Sequence, residues 1–287
     1  MTMTAADAAE MVRRIRDLPT PNAVAMTLLS SLADEGLSVE QLTQKISLDQ
    51  GIVAKVLRLA NSPFYGLTRR VTLIPDAVSI IGWRSVRNLA LAAGLARGFD
   101  LGRCPFFDLG AYWRHSLACA LCAEALARAR GEDGGLAFGG GLLHDLGRVV
   151  LACVAPDDYA QMLRWRADTG ACLFDAEQSF LGLDHVFIGG LLAEQWLLAP
   201  ALVDSVALHH QPPEDGSAPL ADLVHVADCV AHGLGLEGTG DESVPPLALH
   251  SWRRLDMAEP QWFSLFAGVE SEHAALCQAF FPGEGAS

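Results

Sequence analysis

Residues 139–151 read GGGLLHDLGRVVL, an apolar run that contains the adjacent polar pair His144 and Asp145. The apolar character of the run predicts a deeply buried helix. Burying an imidazole or a carboxylate without a partner is costly, at roughly 2–7 kcal/mol for an unpaired polar group and more for a charge. The pair must therefore be satisfied by each other, by nearby backbone or by a metal ion.

The composition is that of a globular protein with a substantial core. The chain has 287 residues, of which 51% are hydrophobic and 19% charged. Its first residues, MTMTAADAAEMVRRIRD, place acids before the arginines and have no apolar core, so they match neither a secretory signal nor a transit peptide. The long apolar runs are each interrupted by charged residues, which argues against a membrane span. We therefore expect a cytoplasmic protein that does not associate with membranes.

The seven cysteines agree with that compartment, because an odd number without framework spacing indicates reduced thiols. Cys119 and Cys122 form a Cys-x-x-Cys motif in the alanine-rich stretch SLACALCAEALARA. No second pair accompanies them, so packing inside a helix is a better interpretation than redox or zinc chemistry.

Charge divides the chain into unlike parts, although the net charge is −14. Residues 1–103 carry 12 Lys and Arg against 9 Asp and Glu, whereas residues 104–287 carry 8 against 25. The change falls near LGRCPFFD (101–108), where Gly, Cys, Pro and aromatic residues interrupt helical periodicity and predict a boundary. A second interruption, GLGLEGTGDESVPP (233–246), predicts a surface loop.

The hydrophobic pattern predicts an all-α protein. In the stretch from Val39 to Ser62 the apolar residues recur at intervals of three and four, and alternation with period two is scarcely seen anywhere in the chain. Ser38 is a predicted N-cap, and Asn61-Ser62-Pro63 is a predicted helix stop. We expect about a dozen helices by this criterion.

The same stretch also suggests a DNA-binding interpretation. LTQKISLDQGIVAKVLRL resembles two short helices joined by a tight turn, and Lys45, Lys55 and Arg58 could contact phosphates. Helix–turn–helix pairs are common in all-α proteins, however, and the acidic second part of the chain would weaken phosphate attraction. DNA binding through residues 38–62 is therefore the weakest of the functions considered, and nucleic acid is not the expected partner.

Histidines and aspartates on several predicted helices suggest a metal site in a helix-bundle core. Adjacent residues on a helix point about 100° apart, so His144 and Asp145 can share one ion only if it lies close to the helix. Gly139, Gly140, Gly141 and Gly147 permit such a close approach by removing side-chain bulk. The candidate ligands are His115, His144, Asp145, His185, His209, His210 and Asp228.

The order of a lone His, a His-Asp pair and a later Asp resembles the HD superfamily of metal-dependent phosphohydrolases. More specifically, the chain resembles the HDOD domain, the HD-related output domain of bacterial signalling proteins. The resemblance covers about residues 18–232. It lies in LPTPNAVAMTLL (18–29), LANSPFYG (59–66), AVSIIGWRSVRNL (77–89), GLLHDLGRVVL (141–151) and the run from Glu177 through LDHVFIGGLLAEQWLLAPALVDSVALHH (183–210).

The resemblance implies a multi-helix fold in which an N-terminal helical subdomain, residues 1–103, packs on an HD-like helical core, residues 104–235. Residues 236–287 would add a loop and C-terminal helices. It also implies signal relay through contacts with a signalling protein partner. Metal-dependent hydrolysis of a nucleotide or other phosphoester is the alternative function.

Two departures separate the chain from the related HD-GYP phosphodiesterases. Arg148 stands where those enzymes carry Lys, and HHQPPEDGSAP lacks the Gly-Tyr-Pro signature, so cyclic di-GMP hydrolysis is not expected. Arg148 remains a candidate phosphate-binding residue. The seven candidate ligands match positions that bind two metal ions in the HD-GYP relatives, although Ala111 replaces an acid one turn before His115. Histidine and carboxylate ligands suit iron, manganese or zinc.

Each candidate ligand also has a purely structural interpretation. His209 and His210 lie near a predicted helix C-terminus, where the helix dipole favours an imidazolium by about 0.3–1 kcal/mol. His185 could cap the helix that follows it. Glu177 is expected to be solvated as an isolated acid, whereas the resemblance makes it a candidate partner for that helix.

Overall fold

The computed structural model describes residues 13–15, 21, 23–32, 38–96, 104, 106–236, 244–257 and 259–281. This part of the chain is all-α: it contains fifteen bounded α-helices, one short 3₁₀ helix and no strand. The all-α prediction is confirmed. The count exceeds the expected dozen because short turns divide several apolar runs that the periodicity treats as continuous.

Five helices make up the N-terminal part. They are α1 (Ala23–Ser30), α2 (Val39–Ser47), α3 (Gln50–Ala60), α4 (Ile74–Ile81) and α5 (Trp83–Leu95), with the 3₁₀ helix Pro63–Tyr65 between α3 and α4. The predicted N-cap is confirmed, since Ser38 Oγ accepts a hydrogen bond from the Gln41 amide at 3.2 Å. The predicted stop is also confirmed, because α3 ends at Ala60.

Eight helices follow and surround the histidines. They are α6 (Leu109–Ala129), α7 (Gly134–Leu143), α8 (Leu146–Val154), α9 (Pro156–Thr169), α10 (Leu173–Leu181), α11 (His185–Gln195), α12 (Pro200–Leu208) and α13 (Pro219–Gly233). Asp108 and Asp133 cap α6 and α7, and proline begins α9, α12 and α13. Two further helices, α14 (Leu249–Leu255) and α15 (Glu259–Phe280), complete the described chain.

The centre of the core is α6, whose middle is buried from Leu117 to Ala123. It packs on α7, α13 and α15. Small residues make this packing close: a Cβ on Gly141 would lie 2.7 Å from the Cα of Ala120. The predicted role of Gly141 in close helix approach is therefore visible in the backbone contacts.

The N-terminal helices contact the core through α5, which packs on α7. A buried polar contact joins α5 to α6, with Asn88 Nδ2 donating to Glu124 Oε2 at 2.9 Å. Half of the predicted boundary at 101–108 and half of the predicted loop at 233–246 fall outside the described residues. The domain division consequently stays a prediction.

Residues 134–154 form a helical stretch long and apolar enough to cross a membrane by length and composition alone, but 94% of its apolar window is buried inside the protein. Core helices of soluble proteins pass the same test.

The proposed DNA-binding pair corresponds to α2 and α3, with α15 packed against α3. Lys55 Nζ lies 4.1 Å from the ring centroid of Phe280, and Arg58 donates to the carbonyl of Ala279 at 2.9 Å. Two of the three candidate basic residues thus contact α15.

Candidate metal centre

The structure brings all seven predicted ligands together in the core. His115 lies on α6, His144 and Asp145 lie between α7 and α8, and His185 is the first residue of α11. His209 and His210 follow the end of α12, and Asp228 lies on α13. Six of the seven are buried and His210 is partly buried.

The His144–Asp145 pair is placed differently from the prediction of a continuous helix. His144 ends α7 and Asp145 precedes α8, and the backbone of Asp145 leaves helical geometry at φ −95° and ψ 11°. This break turns both side chains toward the same centre. Gly147 lets α11 approach here: a Cβ on it would lie 1.9 Å from the carbonyl oxygen of His185.

The first group of ligand atoms surrounds His115. Its Nε2 lies 3.1 Å from His144 Nε2 and 3.1 Å from Asp228 Oδ1. His144 Nε2 lies 3.7 Å from the same carboxylate oxygen. Because two imidazole nitrogens and one carboxylate face a common point, this group has the donor set of a transition-metal site.

The second group surrounds His185. Its Nε2 lies 3.1 Å from His210 Nε2, and His209 belongs to the same cluster, whose ligand atoms lie within 4.8 Å of one another. Asp145 stands between the groups. Its Oδ1 is 3.3 Å from His185 Nε2, and its Oδ2 is 3.7 Å from His144 Nε2. One carboxylate therefore presents an oxygen to each group.

The imidazole rings are held so that Nε2 faces the centre. A carbonyl or carboxylate oxygen only accepts, so the Nδ1 atom beside it must carry the proton, and Nε2 of the neutral ring keeps its lone pair. The Nδ1 contacts are His144 with the Gly141 carbonyl at 2.7 Å, His209 with the Val206 carbonyl at 2.9 Å, and His185 with Glu177 at 2.5 Å.

Glu177 is fully buried and organises the second group. It accepts from both Nδ1 and the backbone N–H of His185, the latter at 2.8 Å, and from the hydroxyl of Tyr159 at 2.9 Å. Carboxylates in this position fix the orientation of metal-binding histidines. The solvated interpretation of Glu177 is wrong. Capping by His185 is wrong as well, because the side chain of Asp184 caps α11 through the Phe187 amide.

Both carboxylates are held in the ionised form. Burial alone would raise the pKa of Asp145, but the Arg148 guanidinium, which donates to Asp145 Oδ2 at 2.7 Å, holds that pKa well below its usual range. Burial likewise opposes ionisation of Asp228, and hydrogen bonds from His115 and His232 hold its pKa well below the usual range. The centre therefore offers two anionic ligands near neutral pH.

Most of the histidines are held neutral. Burial lowers the pKa of His144 and of His209, and burial together with His185 lowers the pKa of His210 to about 4. The imidazolium interpretation of the α12 C-terminus is thus not supported by these environments. His185 differs: burial would lower its pKa, but Glu177 and Asp145 raise it to about 9, so a proton must leave before Nε2 can bind a metal.

These residues fit divalent metal ions. The decisive atom is His209 Nε2, which is fully buried and has no hydrogen-bond partner within the described part of the chain, although its lone pair faces the cluster. A buried polar atom without a partner is costly. Nitrogen-rich donors suit iron, manganese or zinc, whereas calcium requires six to eight oxygen ligands.

Two further potential ligands were missed by the sequence analysis. His232 Nε2 lies 3.3 Å from Asp228 Oδ1 one turn along α13, and it forms a cluster with His115 and Asp228. The i, i+4 spacing of Asp228 and His232 was a usable signal. Cys119 forms a cluster with His144 and Asp228, but burial raises the pKa of its thiol well above the usual value.

A cavity of about 330 Å³ opens beside the two groups. Its walls include Asp145, His185, His210 and Asp228, together with Arg148. Arg148 Nη1 donates to Asp145 Oδ2 at 2.7 Å, so the candidate phosphate-binding residue also holds the carboxylate shared by the groups. A guanidinium has five N–H donors and can serve both partners.

A family model for the HDOD domain matches residues 18–212, about two thirds of the chain. The chain belongs to the HDOD domain family. An uncharacterised protein from Treponema pallidum (strain Nichols) is 26% identical over 256 residues, 88% of this chain and 49% of that protein. This HDOD chain thus spans about half the length of that relative.

Solved structures show the same HDOD fold. An HDOD domain protein of unknown function from Geobacter sulfurreducens has a TM-score of 0.73 at 23% identity, covering 95% of this chain and 98% of that one. A candidate phosphohydrolase from Shewanella amazonensis SB2B has a TM-score of 0.65 at 26% sequence identity. The match covers 93% of this chain and 97% of that one. A candidate signal transduction protein from Marinobacter aquaeolei VT8 has a TM-score of 0.77 at 22% sequence identity. The match covers 95% of this chain and 64% of that one.

Proposed function

We propose that this HDOD protein is a metal-dependent phosphohydrolase that acts on a small phosphoester within a signalling pathway. The observation that carries the proposal is the position of Asp145. Its two oxygens face separate groups of imidazole nitrogens, and the same carboxylate borders the cavity that holds Arg148. The Shewanella amazonensis relative, at 26% identity, supports the reaction class.

The residues divide into two ligand sets that share Asp145. His115, His144 and Asp228 would hold one ion, and His185, His209 and His210 would hold the other, with His232 beside the first set. Divalent ions bound there would supply the Lewis acidity that polarises a phosphoester.

The remaining chemistry belongs to the chain. Arg148 lines the cavity beside Asp145, so its guanidinium would bind the phosphate oxygens of a substrate held next to the two ligand sets. Glu177 and the carbonyls of Gly141 and Val206 hold the imidazole rings in position while the substrate changes.

The cavity limits the substrate. Its volume of about 330 Å³ lies at the small end of the roughly 300–1,000 Å³ typical of ligand pockets. A phosphomonoester or mononucleotide fits this volume better than a cyclic dinucleotide does, in agreement with the missing Gly-Tyr-Pro signature.

The test is hydrolysis of p-nitrophenyl phosphate and of AMP by protein loaded with manganese or iron. We expect turnover of about 1 per second or faster, which is ordinary for an enzyme. Arg148→Ala should raise KM, Asp145→Asn should abolish turnover, and His250→Ala, outside the centre, should change neither. Background rates from protein shown to hold its metal would contradict the hydrolase proposal.

A second function, signal relay by contact with a partner protein, is favoured by a basic groove on the N-terminal helices, lined by Arg58, Arg69 and Arg70. Signal relay would use the basic groove and hydrolysis would use the cavity beside the metal ligands. A result that excludes one function therefore leaves the other open to testing.

A further inference from the structure

A groove of about 1020 Å³ lies where the end of α3, the following loop and the end of α15 meet. The residues that line it are far in sequence from every predicted metal ligand. The side chains that matter for its chemistry are Leu57, Arg58, Ser62, Leu67, Arg69 and Arg70.

The loop that carries two of these arginines is held firmly. Asn61 Nδ2 donates to the carbonyl of Val71 at 2.8 Å, and the amide of Val71 donates back to Asn61 Oδ1 at 2.8 Å. Gly66, with φ of 57°, allows the turn that begins the loop. Arg69 and Arg70 therefore project from a fixed backbone.

The groove is basic in an acidic protein. Of the described residues that line it, three are arginines and none is Asp or Glu, whereas the whole chain has a net charge of −14. Among the described residues Arg69 and Arg70 form no ion pair, and Arg58 donates to the carbonyl of Ala279 at 2.9 Å. Exposed guanidinium groups of this kind bind carboxylates and phosphates in a bidentate manner.

Ser62 provides an independent sign that a ligand completes the site. Its side chain is only 9% exposed, it lines the groove, and Oγ has no hydrogen-bond partner in the described structure. Buried hydroxyl groups normally have a partner. A ligand oxygen or amide in the groove would supply it.

We propose that this groove binds an extended acidic peptide segment of a signalling partner, which deepens the relay function and does not depend on the metal centre. The volume and the apolar walls at Leu57 and Leu67 suit a peptide better than an isolated anion. Duplex DNA fits less well, because Lys55 and Arg58 contact α15 and residues 104–287 are strongly acidic.

Fluorescence anisotropy with a labelled peptide of repeated Asp-Leu-Glu-Pro tests the proposal on the full chain. We expect a dissociation constant of about 10 µM or tighter, and Arg69→Glu with Arg70→Glu should weaken binding at least about tenfold, or 1.4 kcal/mol. The control Arg84→Glu with Arg253→Glu makes the same change in net charge at exposed sites outside the groove and should weaken binding less than about twofold.

Ser62→Ala separates binding from folding. Because Oγ has no partner among the described residues, the variant should unfold at the same denaturant concentration as the parent, yet bind the peptide about threefold to tenfold more weakly. A peptide with Asn and Gln in place of the acids should not bind.

Three outcomes would overturn the proposal. The first is no peptide binding in the wild-type protein, and the second is equal weakening in the control pair. The third is displacement of the bound peptide by inorganic phosphate or by duplex DNA at concentrations lower than those the peptide itself needs to bind. Each leaves the metal centre and contact through another surface unaffected.

Discussion

Gly147→Ala tests how the two ligand groups are held together. A Cβ at this position would lie 1.9 Å from the carbonyl oxygen of His185 and 2.8 Å from the backbone nitrogen of Gly189. Contacts under 3.0 Å are essentially never seen for Cβ atoms, so α8 and α11 must separate by roughly 1 Å or more. Both neighbours are backbone atoms and cannot rotate away.

The separation of α8 and α11 should lower the free energy of unfolding and release one of the two metal ions. Overpacking costs about 1–3 kcal/mol of unfolding free energy, and the short contacts here put the cost at about 3 kcal/mol. Alanine stabilises a helix by about 1 kcal/mol relative to glycine, so the net loss of unfolding free energy is about 2 kcal/mol. His185 moves with its carbonyl, away from the Asp145 oxygen that it faces at 3.3 Å. The group around His115 does not include His185 and should keep its ion.

Urea unfolding and metal analysis measure the two effects. The matched control is Gly268→Ala on α15, where the added Cβ meets nothing within 4 Å and should stabilise the protein by about 0.5–1 kcal/mol. If Gly147→Ala keeps the parent stability and full metal content, then the close approach of α8 and α11 does not hold the centre together.

Three further predictions concern other parts of the molecule. Burial and Glu272 raise the pKa of Glu124 to about 7 from 4.5, so the folded state retains a proton that the unfolded state loses, and the resulting stability disappears as the pH rises through 7. The unfolding free energy of the parent should therefore fall between about pH 5 and pH 8, and in Glu124→Gln this fall should be smaller by up to roughly 2–3 kcal/mol. Urea titrations that give the parent and the variant the same pH profile would refute this. Cyclic di-GMP should not be turned over at enzyme-like rates, and about 1 per second in a nucleotide-release assay with iron or manganese would contradict that expectation. Duplex DNA should bind weakly and without sequence preference, and a single sequence bound at about 10⁻⁸ M at physiological salt would restore the Lys45, Lys55 and Arg58 interpretation.

Much of the fold follows from local signals in the sequence. Periodicity and caps predict helices such as Val39–Ser47, because each depends on a few neighbouring residues like Ser38 and Gln41. The approach of His115 to the His144–Asp145 pair was expected from the polar residues carried by several predicted helices and from the order of residues shared with a family. No local pattern states that α6 and α13 meet.

The details of the site depend on contacts that one sequence does not display. The break between α7 and α8 could not be predicted, because the apolar run that contains it has a helical pattern throughout. The break goes with the close packing around Gly141 and Gly147, which only the folded chain shows. Glu177 looks solvated until α10 buries it against His185. Which ring nitrogen of His144 faces the centre follows from the carbonyl of Gly141, which only the folded chain places there.

Metal content of the untagged protein tests the central claim most directly. We predict about two ions of iron, manganese or zinc per chain, because two ligand groups share Asp145. His144→Ala and Asp228→Ala should each lose about one ion, since both residues belong to the group around His115, and His250→Ala should lose none. Wild-type protein that is metal-free, and whose melting temperature does not rise when these ions are added, would show that the buried histidines and aspartates form a hydrogen-bonded network instead of a metal centre.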